Sequence, residues 1–168
     1  MSGGVTIALP DEAATVALGA VLAGRLAPGD VVHLEGDLGA GKTTLVRGLI
    51  QSLLPGARVR SPTYTLVEPY QTTAFEILHL DLYRLGSPEE LDALGVRERV
   101  GEAVILAEWP ERGAGVLPGA DLRITLAHAG DGRSATLEGF GPRGVALAEA
   151  LAKVLPGTRA GVASGTSH

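Results

Sequence analysis

Eight consecutive residues carry the most specific chemistry in the chain. Gly36-Asp37-Leu38-Gly39-Ala40-Gly41-Lys42-Thr43 fits the Walker A pattern G-x-x-x-x-G-K-[ST]. Glycines let successive backbone N–H groups converge on a polyphosphate, and a helix that follows sets its positive end beside them. In this pattern the lysine, Lys42, reaches the β- and γ-phosphates, and the hydroxyl of Thr43 ligates Mg²⁺. Lys42 and Lys153 are the only two lysines, so shuffling this composition yields the pattern in roughly 0.5% of chains. The context fits as well. An apolar strand at residues 31–34 precedes the loop, and Leu45, Val46, Leu49, Ile50 and Leu53 share one face of a helix after it.

Phosphoryl chemistry at such a loop needs a second acid on a neighbouring strand to hold the Mg²⁺ shell. Two carboxylates qualify. Glu108 ends the apolar run Val104-Ile105-Leu106-Ala107, and Asp81 sits inside the alternating stretch Ile77-Leu78-His79-Leu80-Asp81-Leu82. A carboxylate among apolar neighbours is costly unless paired or metal-bound. The plainer alternatives are a salt bridge from Asp81 to Arg84 and a solvated strand end at Glu108. Ser61-Pro62-Thr63-Tyr64-Thr65 offers three aliphatic hydroxyls between the loop helix and the next strand, as a γ-phosphate switch does or as an ordinary connection. The chain contains no asparagine, hence no Asn-Lys-x-Asp guanine reader, and adenine is the default base. His33, His79 and His128 fall on predicted strands without metal-ligand spacing and read as structural. The twelve arginines are scattered and form no lid.

These groups must be held by elements the sequence also suggests. The pattern predicts strands at 5–9, 31–35, 64–70, 74–82, 103–107, 122–128 and 134–138. It predicts helices at 12–26 (capped by Asp11), after the glycine loop, from Ser87-Pro88, and at about 144–155. Strands alternating with helices early and paired late imply an α/β sandwich, a single domain over residues 1–155 with a mixed central sheet flanked by helices. Residues 156–168, rich in Gly, Ser, Thr and Ala, read as a disordered tail. The 24 glycines read as the phosphate loop, turns and tail. With no cysteine, disulfides and thiolate sites are excluded. The longest apolar stretch, 13–24, is too short to span a bilayer, so a cytoplasmic protein without membrane contact is expected. A net charge of −5 argues against gripping nucleic acid directly.

Together the motifs resemble the bacterial TsaE (YjeE) ATPases. The matching stretches are Leu9-Pro10-Asp11-Glu12, the glycine loop through Thr44, Ser61-Pro62-Thr63-Tyr64-Thr65-Leu66-Val67-Glu68, His79-Leu80-Asp81-Leu82-Tyr83-Arg84-Leu85, Pro88-Glu89-Glu90-Leu91 and Glu108-Trp109-Pro110. Leu80 stands where the family often has an aromatic residue. The resemblance implies a P-loop NTPase-like protein that binds ATP and Mg²⁺ and hydrolyses ATP weakly alone. It also implies action on the TsaD–TsaB heterodimer, which is reset between turnovers as TsaD modifies adenosine 37 of tRNAs reading A-starting codons. Contact with tRNA is then indirect. Carried over by position, Leu38, Gly39, Ala40, Gly41, Lys42, Thr43 and Thr44 cradle phosphate, and Thr43 and Glu108 hold Mg²⁺. Lys42, Asp81 and Glu108 serve hydrolysis, Trp109 lines the site, Glu12 lies near adenine, and Thr63 and Thr65 belong to the switch-like loop. Beside this accessory ATPase stand two other readings: a nucleotide-gated adaptor and, ranked last, a small-molecule kinase.

Overall fold

A computed structural model describes residues 4–62, 65–155 and 158–160. In chain order the elements are β1 (Gly4–Leu9), α1 (Glu12–Ala23), β2 (Val31–Glu35), α2 (Lys42–Leu53), β3 (Val67–Gln71) and β4 (Glu76–Asp81). Two short helices follow, α3 (Glu89–Ala93) and α4 (Val96–Arg99), then β5 (Val104–Glu108), a 3-10 turn at Pro110–Gly113, β6 (Leu122–Ala129), β7 (Gly132–Gly139), α5 (Gly141–Val154) and β8 (Thr158–Ala160). All strands join one mixed sheet in the order β3-β4-β5-β2-β6-β7-β1-β8. Its centre, β4-β5-β2-β6, is parallel, and the flanking pairs are antiparallel. The expected α/β domain with a mixed sheet is therefore present. Every residue of β5 is buried, as its unbroken apolar run requires of a central parallel strand.

The sheet separates two cores. On one face Leu18 and Leu22 of α1, Leu45 and Leu49 of α2, and Leu147 and Leu151 of α5 pack on Val32, Leu34, Ile77, Val104 and Leu106. On the other, Leu78, Leu80, Ile105 and Ala107 meet Leu85, Leu91 and Val96. Asp11 caps α1 as expected, its Oδ1 accepting the Ala14 N–H at 2.9 Å. That helix ends at Ala23, three residues early, because Gly24 closes it with turn hydrogen bonds. Strand β3 starts at Val67 rather than 64: Leu66 is in the left-handed region (φ 66°), and Tyr64 lies outside the described residues. Helix α5 begins earlier than expected, at Gly141, with Pro142 in its first turn. Part of the tail differs from expectation too. Thr158–Ala160 pair antiparallel with β1, whose outer edge would otherwise leave its backbone groups unpaired. Among the described residues no helix is long and apolar enough to cross a membrane.

The glycines do more than form turns. Helices α1 and α2 lie so close that a Cβ on Gly48 would sit 2.4 Å from the Val16 carbonyl oxygen, and one on Gly19 would sit 2.1 Å from that of Leu45. Both clashes are with backbone, so no side-chain rotation relieves them. Gly48→Ala must push the two helices apart and is expected to cost about 2 kcal/mol or more in urea unfolding, in the manner of an overpacked core. A variant as stable as the parent would show that this close approach is not needed.

Candidate functional site

The parallel centre of the sheet brings three carboxyl-terminal strand ends to one edge, the usual ligand side of such sheets. Strand β2 runs into the glycine loop, β4 ends at Asp81 and β5 ends at Glu108. Register pairs Leu34 with Glu108 and Asp81 with Glu108. Side chains alternate along a strand. Ile77, Val104 and Leu106 face the core beneath α1 and α2, so His79, Asp81 and Glu108 emerge on that same face, under the loop. The loop turns tightly enough to do so only with glycine at its left-handed positions: φ is 82° at Gly39 and 108° at Gly41, the residue before the first turn of α2.

Lys42 is buried, and its ammonium donates to the carbonyl oxygens of Gly36 and Asp37 and lies 4.1 Å from the centroid of the Trp109 ring. Burial holds its pKa below the ordinary lysine value, against the pull of the Glu108, Asp81, Glu111 and Asp37 carboxylates. Trp109 packs on Tyr83 (centroids 5.0 Å apart) and adopts a left-handed backbone with φ 56°. A non-glycine residue is strained there, and such strain collects at functional sites. Leu66 shares the distinction, and its carbonyl accepts the Asp81 N–H at 3.1 Å, tying the segment after Ser61 to the end of β4.

The two acids are held differently. Glu108 is 3% exposed, and its Oε2 lies 2.7 Å from Nε2 of fully buried His79. Asp81 is half-buried, with Oδ1 accepting the Tyr83 N–H at 3.2 Å and Oδ2 the Ser61 hydroxyl at 3.4 Å. Burial pushes its pKa above the usual 3.8, and the Glu108 charge pushes it further. The folded state thus binds the Asp81 proton more tightly than the unfolded chain does. The stability this contributes is complete below pH 3.8 and is lost as pH rises through the raised folded value. Asp81→Asn should therefore raise the thermal midpoint at neutral pH and leave it unchanged below pH 3.8. A gain confined to low pH would contradict the sign of this shift.

Leu38, Gly39, Gly41, Lys42, Thr43, Thr44, Asp81, Glu108 and Trp109 line a single cleft of about 400 Å³, together with Ser61, Tyr83 and Arg84. Glu12 lines a second cleft of about 300 Å³ on the other side of the loop, with Asp11, Thr15, Thr44 and Arg133; Gly39, Gly41 and Thr44 border both. Ala40 is not part of either lining. Its side chain is in the core and its N–H bonds the Asp37 carbonyl at 3.0 Å. Thr65 is exposed and outside both linings, and Thr63 lies outside the described residues. His79, read from sequence as structural, is instead the partner of Glu108. His33 does fit a structural role: Nε2 lies 3.0 Å from the Pro118 carbonyl oxygen, and burial lowers its pKa.

The donor set suits a hard cation bound together with polyphosphate. Glu108 and the Thr43 hydroxyl are oxygen donors, and among the described residues no three His, Asp or Glu side chains are grouped to hold a metal. Mg²⁺ is usually held that way, by one or two carboxylates with the remaining ligands from phosphate and water.

Comparison with known proteins identifies the family and the fold. Residues 9–135 match the family described as "Threonylcarbamoyl adenosine biosynthesis protein TsaE". The chain is 47% identical to the tRNA threonylcarbamoyladenosine biosynthesis protein TsaE of Haemophilus influenzae over 108 residues, 64% of this chain and 68% of that protein. It is 38% identical to the Bacillus subtilis protein of the same name over 146 residues, covering 86% of this chain and 90% of the relative. The crystal structure of Bacillus subtilis YdiB superposes with a TM-score of 0.76 at 31% identity, over 91% of this chain and 97% of that one. The chain belongs to the TsaE family of threonylcarbamoyladenosine biosynthesis proteins.

Proposed function

We propose that this protein is a Mg²⁺-dependent ATPase that acts on the TsaD–TsaB complex and resets it between rounds of threonylcarbamoyl transfer to adenosine 37 of tRNAs reading A-starting codons. One observation carries the reading: strand register delivers the Walker A loop, Asp81 and Glu108 to a single cleft. The N–H groups at the start of α2 would face a bound polyphosphate, and Lys42, whose ammonium bonds the Gly36 carbonyl oxygen, would bring its charge to the phosphates. Mg²⁺, when bound, neutralises charge developing on the β- and γ-phosphate oxygens. Thr43 and Glu108 are the residues that would hold it. Asp81, held by the Tyr83 N–H and the Ser61 hydroxyl, would orient the attacking water. We assign adenine to the second cleft, which Glu12 lines.

Charge and family membership both support a protein partner. A net charge of −5 disfavours a direct grip on tRNA, which supports reaching the substrate through TsaD–TsaB. A pull-down with TsaD–TsaB tests this. Retention should rise when a non-hydrolysable ATP analogue and Mg²⁺ are added, and equal absence of binding with and without nucleotide would refute it.

A further inference from the structure

The reading just given leaves one buried polar side chain at the site without a task. His79 is completely enclosed, its Nε2 is 2.7 Å from Glu108 Oε2, and its Nδ1 is buried with no hydrogen-bond partner among the described residues. A histidine left with one unsatisfied nitrogen in a core is costly, about 1–3 kcal/mol for a buried polar group. Leucine would fill the same space on β4 without that loss, as Leu78 and Leu80 do on either side. The cost is consistent with a use for the bonded nitrogen.

We propose that His79 is the positioning residue for Glu108: its Nε2–H donates to Oε2, fixing the carboxylate so that its second oxygen is presented to the cation held in the cleft. The inference rests on the proposed Mg²⁺-nucleotide site. Strand geometry supports it. Asp81 and Glu108 are paired across adjacent strands, and His79 lies two residues before Asp81, on the same face and one step deeper in the sheet. From there it reaches Glu108 from the buried side, opposite the cleft. Such partners commonly tune metal affinity through the ligand they orient. A hydrogen on Nε2 is all that this bond requires.

The test reads cation binding rather than turnover. Trp109 is the chain's single tryptophan and lines the cleft, so its fluorescence can follow Mg²⁺ titrated into protein saturated with a non-hydrolysable ATP analogue. His79→Leu should raise the Mg²⁺ concentration required by about tenfold or more, while analogue affinity in EDTA stays within about twofold. His79→Gln, whose amide can donate near the position of Nε2, should recover most of the difference. In a Glu108→Ala background His79→Leu should add nothing, since its effect passes through that carboxylate. If the leucine variant does not fold, His79→Asn replaces it: its shorter amide stops short of Glu108, and its contrast with the glutamine variant decides. An unchanged Mg²⁺ requirement, a glutamine variant no better than leucine or asparagine, or an equal loss without Glu108 would overturn the proposal. If the parent protein gives no Mg²⁺-dependent response, the nucleotide site itself is refuted. A normal parent response alongside a normal His79→Leu refutes only the positioning role.

Discussion

Lys42→Ala is expected to lower ATP hydrolysis by about 100-fold or more, the loss usual when one preorganised charge on a transition state is removed. The fold should survive. Burying an ammonium is unfavourable, and the bonds lost, to the Gly36 and Asp37 carbonyl oxygens, belong to a loop bordering open clefts. What disappears is the only lysine near the site, set among the carboxylates of Glu108, Asp81, Glu111 and Asp37. Without its charge a bound triphosphate would face those carboxylates with less compensation, so nucleotide affinity should fall as well. Phosphate release and thermal melting, measured on the same preparation, separate these effects. A loss below about tenfold with the fold intact would mean that Lys42 is not the phosphate ligand.

The second large effect is expected at Glu108→Gln. The substitution keeps shape and keeps an oxygen that can accept from His79 Nε2–H, 2.7 Å away in the parent. It removes the charge and puts an amide nitrogen in place of the carboxylate oxygen that faces the cation. Binding of ATP should persist through the loop backbone and Lys42, whereas hydrolysis should drop by about 100-fold because the cation loses its one carboxylate anchor. The variant also separates two roles for the nucleotide. If hydrolysis resets TsaD–TsaB, multi-turnover tRNA modification should stall after the first round. If ATP binding merely orders a docking surface, modification should continue at the parental rate, and the adaptor reading replaces the ATPase.

Local sequence carried the loop and both acids, because their requirements are local. Gly39 and Gly41 must be glycine where φ is positive, and Glu108 had to stand at the end of an unbroken apolar run. The relation between the acids was not local. That Asp81 lies directly beside Glu108 depends on β4 and β5 being parallel neighbours in register, a long-range pairing no window of sequence contains. His79 was missed for the same reason, although a signal was present: alternation places it on the face of Asp81, two residues on. The packing glycines were equally hidden. Gly19 and Gly48 look like weak points in two helices until the helices are seen to touch backbone to backbone. Ala40 fits the motif by position, yet its side chain serves the core.

We expect the cleft bounded by Lys42, Asp81, Glu108 and Trp109 to hydrolyse ATP in the service of a partner complex. The most direct measurement is steady-state phosphate release by the purified protein with ATP and Mg²⁺, alone and with TsaD–TsaB. Slow release alone and faster release with the complex is the expected result, with both abolished by Lys42→Ala. No release above background in either condition would contradict it.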